Sequence, residues 1–293
     1  MIMPQGPAIP RRRLGAELRR LREDVGLSLE QAAAALECST SKISRLETGK
    51  GLPKQRDVRD LVRLYGKTAE GDLERLLRWA REGARAGWWQ EYTPLLSQAT
   101  FVFDGVDRYV ALESGASRLT CFDNAAFHGL LQAPDYARTI IRTLLPDYTA
   151  EEIEKMVEFR LRRQDFLHRP DGPLRLDTVV DEAVFRRFVG GSEVMGKQFS
   201  HLLELTQRPN VSLQVLPFER GFIRASQGSF IVLEFEDSVD QDVVCVESPA
   251  GVSYLEGDFG VESFKAVFEE VRARALGTLE SEEWIRMAAA AIG

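Results

Sequence analysis

Apolar positions along the first 66 residues recur at helical spacing. Leu14, Leu18, Leu21 and Val25 fall at i, i+4, i+7 and i+11, one face of a first helix that Gly26 ends. Ser28 opens a second helix, with Gln31 three residues on as a capping box. Its body, EQAAAAL, is rich in small side chains that allow close helix packing. Ser39 caps a third helix and Gly49 closes it. Val58, Leu61, Val62 and Tyr65 mark a fourth. The pattern predicts an all-α domain over residues 11–67, then a helical linker over 68–87, where AEGDLERLLRWAREGARAGWW reads as a fifth helix leading into a link.

From residue 88 the periodicity is mixed. Ile153, Val157 and Leu161 define one helix, which carries FRLRRQDFL, and Met195, Phe199, Leu202 and Leu203 define another. VSLQVLPF, SFIVLEFE and DVVCVES read as strands bounded by Pro, Gly and Asp. Val261, Phe264, Phe268 and Val271 mark a further helix, and residues 281–293 a last one. Strands followed by a helix, without strict βαβ alternation, predict an α+β domain with a partly antiparallel sheet over 88–280.

On a helical wheel the third helix turns Ile43 and Leu46 inward. Ser41, Ser44, Arg45 and Thr48 form the opposite strip, with Thr40 at the exposed first turn. Short hydroxyl side chains let a helix backbone approach its partner closely, and an Arg among them can grip a guanine edge bidentately. Two helices joined by a tight turn, the second polar outside, make a DNA-reading helix-turn-helix. Glu47 flanks Ile43 on the inner side, and Arg22 flanks the stripe of the first helix. The two are placed for a bidentate ion pair, unless Glu47 is partly exposed and unpaired.

Charge separates the two parts. Residues 1–67 carry 14 Lys/Arg against 8 Asp/Glu, a net of +6, within a chain of net −7. A basic head on an acidic body predicts that the head meets a polyanion. The start, MIMPQGPAIPRRR, lacks the apolar stretch of a signal peptide, and no run is long enough to span a membrane. Cys38, Cys121 and Cys245 are far apart and odd in number, which fits reduced thiols and a cytoplasmic protein.

The head, from Leu18 to Gly66, resembles the five-helix DNA-binding domain of the phage-repressor and xenobiotic-response-element (XRE) family, chiefly through GLSLEQAA and ISRLETGKGLP at their spacing. The resemblance implies base-edge readers at Thr40, Ser41, Ser44 and Arg45. It implies phosphate contacts at Lys42, Lys50 and the amides of Thr48 to Lys50, Gly49 among them, and a buried Arg22–Glu47 pair. The turn between the second and third helices usually has Gly where this chain has Glu37, which costs roughly 1 kcal/mol if Glu37 is left-handed.

The body is similar to a C-terminal domain of unknown function (DUF5753-like) that accompanies this DNA-binding domain in many actinobacterial regulators. YVALESGASRLTCFDNAAFHGLLQAPDYAR, RLRRQDFLHR, VVDEAVFRRFVGGSEVMGKQFSHLLEL, VSLQVLPFERG and GSFIVLEF carry the likeness, with His128 where the family usually has Pro. The resemblance implies a transcriptional regulator with a very small protein encoded nearby as partner, in some cases as an antitoxin–toxin pair. The body is then expected to mediate dimerisation, partner binding or effector sensing; the alternative is an antitoxin-like module that sequesters its partner and autoregulates.

Little in the body points to catalysis. His128, His168 and His201 lie in unrelated segments without metal-ligand spacing. Ser39-Thr40-Ser41-Lys42 matches S-x-x-K formally but lacks its companion motifs. Gly190-Gly191-Ser192-Glu193 precedes a helix and reads as an anion cradle or as a loop with a Ser cap. Trp88 and Trp89 read as an effector or partner surface or as packing. No enzyme activity, metal or cofactor is expected; the expected partners are an inverted-repeat operator and a second copy of the chain.

Overall fold

The computed structural model describes residues 7–66, 70–96, 106–170, 172–236, 240–248 and 251–292. The chain divides near Gln90 into two compact units. The head contains α1 (Ala8–Asp24), α2 (Leu29–Ala35), α3 (Thr40–Glu47), α4 (Gln55–Tyr65) and α5 (Glu70–Gly83). The apolar stripes converge as their spacing requires. Leu14, Leu18, Leu21, Ile43, Leu46, Val58, Leu61 and Tyr65 share one core with Ala32 and Ala33 of α2.

Two expectations about this unit need correction. The first helix begins at Ala8, ahead of residue 11. The segment taken as a linker is part of the head: Leu76, Leu77 and Ala80 of α5 lie in the same core. Leu73, Leu76, Leu77 and Ala80 fall at i, i+3, i+4 and i+7, an amphipathic stripe that must be covered by something. Arg11 Nε also donates to the Gly83 carbonyl at 2.5 Å. The boundary drawn between residues 67 and 68 lies outside the described residues.

The body contains α6 (Thr93–Leu96), α7 (Val106–Glu113), β1 (Arg118–Asp123), α8 (Pro134–Leu144), α9 (Ala150–Arg163), β2 (Arg175–Asp181), α10 (Glu182–Arg186), α11 (Ser192–Leu205), β3 (Val211–Leu216), β4 (Phe230–Glu234), β5 (Val243–Ser248), β6 (Gly251–Glu256), α12 (Asp258–Arg274) and α13 (Thr278–Ala290). The sheet order is β3-β2-β1-β4-β5-β6. Pairings β1–β2 and β2–β3 are parallel, and β1–β4, β4–β5 and β5–β6 are antiparallel. The three expected strands are β3, β4 and β5. A partly antiparallel sheet was expected and is found, its parallel part reached through helical crossovers, but β1, β2 and β6 were not read as strands. The last helix begins at Thr278 rather than 281, where Glu280 accepts from the Gly277 amide at 2.8 Å.

Side chains alternate across the sheet. Phe122, Val179, Phe230, Val232 and Val244 meet Val261, Phe268 and Val271 of α12 on one face. Cys121, Ile231 and Cys245 form a cross-strand row, offset by one residue, on the other. Gly190 and Gly191 both have positive φ, and α11 starts at Ser192 with no side-chain cap, so Ser192 is not the cap residue.

The contact that seats α3 on α1 is unusually close. A Cβ on Gly15 would lie 2.5 Å from the Glu47 carbonyl oxygen and 2.6 Å from that of Leu46. Both are backbone atoms, so relief requires moving a helix. Gly15→Ala is therefore expected to destabilise the head by about 2–3 kcal/mol, the upper part of the overpacking range. Chemical unfolding with amide exchange across α1 and α3 checks this; a change within about 0.5 kcal/mol would place the two helices farther apart.

Candidate nucleic-acid interface

The helix-turn-helix is built from local signals. Gln31 N–H donates to Ser28 Oγ at 3.2 Å while Gln31 Oε1 accepts from the Ser28 amide at 2.8 Å, which completes the capping box of α2. Glu37 turns the chain toward α3 with φ of 50°, the single non-glycine residue at positive φ among the described residues. Ser39 Oγ then accepts from the Lys42 amide at 3.2 Å and caps α3.

Along α3, Ile43 and Leu46 are buried and Ser41, Arg45 and Thr48 are exposed, with Thr40 and Ser44 half-buried. Ser41 and Arg45 side chains make no hydrogen bond or ion pair among the described residues, which leaves both free to meet a partner. Lys42 is exposed but already paired, with Nζ 2.8 Å from Asp57 Oδ2. The Thr48 hydroxyl and amide donate to the Ser44 carbonyl at 2.8 and 2.9 Å, and the Gly49 amide to Leu46 at 3.2 Å. These two amides, expected at phosphate, close the C-terminal turn of α3 in the free chain. Lys50 remains an exposed cation just past that turn.

Arg22 and Glu47 are joined as the spacing predicts. Arg22 Nε and Nη2 donate to the two Glu47 oxygens at 2.7 and 2.9 Å, and Nη1 donates to the Leu27 carbonyl at 2.7 Å. Both residues are buried, at 8% and 7% exposure. The carboxylate raises the Arg22 pKa above its ordinary value. Trp88 and Trp89 stand edge to face with ring centroids 6.0 Å apart. Trp89 is buried against Gly87, so packing replaces the surface role considered for it; Trp88 is half-buried.

The interior of the body holds a second polar constellation. Arg163 donates to both Glu113 oxygens, each at 2.8 Å, and the Tyr109 hydroxyl donates to Glu113 Oε1 at 3.0 Å. His128 Nδ1 accepts from the Leu130 amide at 3.3 Å, so its proton sits on Nε2, 3.0 Å from the Tyr109 oxygen. Burial and the neighbouring arginines push the His128 pKa down to about 3, which keeps the ring neutral. Arg160 donates through Nη1 to Gln132 Oε1 at 2.7 Å. Burial raises Asp123 to about 7, with Glu247 adding to the shift.

Residues 13–77 match the model of a helix-turn-helix domain, and residues 106–287 match the model of a domain of unknown function (DUF5753). The chain belongs to the DUF5753 family. No curated protein and no solved structure matches it. No described helix is long and apolar enough to cross a membrane.

In the DUF5753 domain the sequence did carry a signal for the buried arginines. Ile153, Met156, Val157, Arg160 and Arg163 follow i, i+3, i+4, i+7 and i+10, so the apolar stripe of α9 runs on into two cations, and all five are buried. An arginine on a core-facing stripe requires an interior partner. Gly15 gave no such signal, because a close backbone approach leaves no mark on hydrophobic periodicity.

The buried pair of the head yields a prediction. Arg22→Ala or Glu47→Ala alone is expected to destabilise the head by about 3–5 kcal/mol, since each strands the other charge. Replacing both with apolar residues of similar size should recover much of that loss. Denaturant unfolding of the four proteins tests it; single variants within about 0.5 kcal/mol of the parent would show that the pair is solvated.

Proposed function

We propose that this chain is a sequence-specific transcription regulator of the XRE type that acts in the cytoplasm. The observation that carries the reading is α3 itself. It presents Ser41, Arg45 and Thr48 to solvent while Ile43, Leu46 and Glu47 fix it to the rest of the head. Thr40 and Ser44 flank that strip, and Arg45 is the one side chain on it long enough to reach a guanine edge bidentately. Lys50, and Lys42 once it leaves Asp57, supply phosphate contacts.

Base contacts and phosphate contacts separate in measurement. Arg45→Ala should weaken binding to the operator by about 1–3 kcal/mol and relax preference at one base pair, with little change on scrambled duplex. Lys50→Ala should weaken both duplexes alike and flatten the salt dependence by about one charge. Titrations across salt concentrations decide between them. Equal losses on operator and scrambled DNA for Arg45→Ala would remove it from the reading surface.

The body is proposed to assemble the protein rather than to catalyse a reaction, holding two heads on one inverted repeat. A single small reading module buries roughly 600–1,000 Å² on DNA, which leaves a thin margin over nonspecific binding. Leu52 is the one large apolar side chain the head exposes among the described residues, whereas the body exposes Phe188, Phe218, Phe222 and Phe259. That distribution supports self-association, or capture of a small protein, through the body. The full chain is expected to be a dimer that protects half-sites centred about 34 Å apart, or a multiple of that. Solution mass and footprinting test this together; a monomer protecting one non-palindromic half-site would overturn it.

A further inference from the structure

The constellation inside the body borders a cavity of about 190 Å³. Its floor is the sheet face that carries Asp123, Ile231 and Cys245, and its wall includes Arg160 and Arg163 of α9 and Ile140 of α8. The two arginines differ. Arg163 is neutralised by a bidentate carboxylate, Glu113, which is itself fully buried. Arg160 is 9% exposed, and among the described residues its guanidinium has one hydrogen bond, to the neutral amide of Gln132, and no carboxylate within ion-pair distance. A guanidinium carries five N–H donors and a full charge, so one neutral acceptor leaves four donors without a protein acceptor among the described residues. Arg160 lines the cavity.

We propose that this cavity binds a small organic carboxylate, with the carboxylate paired to Arg160 and a compact apolar body against Ile140, Leu144, Ile231 and Val252. The other polar groups fit an anion. His128 is neutral, held by the Leu130 amide and the Tyr109 hydroxyl. Asp123 takes hydrogen bonds from Thr178 Oγ1 at 3.5 Å and Cys121 Sγ at 3.6 Å and, with its pKa raised to about 7, is not fully charged near neutral pH. Glu247 also lines the cavity and its charge acts on Arg160 and Asp123, but it is exposed and so open to water. Burial holds the Arg160 pKa down to about 10, so it stays charged at neutral pH and gains from an anionic partner. Size selects the ligand further. A cavity of about 150 Å³ holds benzene, so this one takes a single ring, or a chain of similar bulk, with its carboxylate. Concave, mostly apolar surroundings with a few convergent polar groups are the usual make-up of a small-molecule site.

Calorimetric titration of the full-length protein tests the proposal without DNA, so it stands or falls separately from the reading of the head. The probes are benzoate, phenylacetate and hexanoate, each with its neutral amide, and benzylamine. At least one carboxylate is expected to bind, at least tenfold more tightly than its amide, and benzylamine not at all. Arg160→Gln should weaken that carboxylate more than tenfold and bring it level with the amide. Ala126→Phe, on the cavity wall, leaves Arg160 in place and should abolish binding by filling the space; it decides the matter if Arg160→Gln does not fold. Absence of binding by all three carboxylates, parity of acid and amide, unchanged binding in either variant, or preference for the amine would each overturn the proposal.

Discussion

The geometry of the head depends on one buried ion pair. Arg22 lies in the last turn of α1 and Glu47 at the last residue of α3, and their bidentate contact spans 25 residues of sequence. A buried charge pair is a poor source of net stability, because desolvation offsets much of the attraction. Its value here is orientation. The paired planes of guanidinium and carboxylate fix the rotation of α3 about its own axis, and Gly15 lets α1 approach the same end of α3 to within backbone contact. Rotation of α3 decides which side chains face out. A shift of 100° would exchange Arg45 for Leu46 on the exposed strip.

Much of the head was legible in the sequence because its signals are local. The capping box at Ser28, the cap at Ser39 and the stripes of α1 and α4 each involve residues a few positions apart, whereas the left-handed turn at Glu37 was suggested only by the family resemblance. The Arg22–Glu47 pair was legible at long range because both residues flank apolar stripes that had to meet. For Thr48 and Gly49, residue type and position fit a phosphate contact, while in the free chain their amides close the last turn of α3. The fifth helix was legible, but its place in the head core was masked by a charged surface, four residues of each sign over 68–87, around the stripe of Leu73, Leu76, Leu77 and Ala80.

In the body the sequence was less informative, and the sheet explains why. β4 and β5 are rich in Val, Ile and Phe and announce themselves. β1 and β2 read RLTCFD and RLDTVVD, with polar residues at buried positions, so neither shows a clean period of two or an apolar run. Those polar positions have structural uses: Thr178 donates to Asp123 across the parallel pair, and Arg118 pairs with Asp177 at 2.6 Å. β1 and β2 were hidden by the same residues that give the sheet its polar interior.

Three arginines that leave water show how differently one side chain can be accommodated. Arg22 and Arg163 each have a bidentate carboxylate supplied by another element, Glu47 in the head and Glu113 in the body. The chain thus solves the buried-guanidinium problem twice by the same means. Arg160 lies on the same stripe of α9 as Arg163, one turn away, and no carboxylate is brought to it. Packing alone does not require a cation there, since the stripe is apolar at Ile153, Met156 and Val157 and a Met or Leu at 160 would continue it at lower desolvation cost. A charge whose one hydrogen bond, to the buried Gln132 amide, needs no cation, kept beside a hollow of ligand size, is better accounted for by what enters the hollow than by what surrounds it.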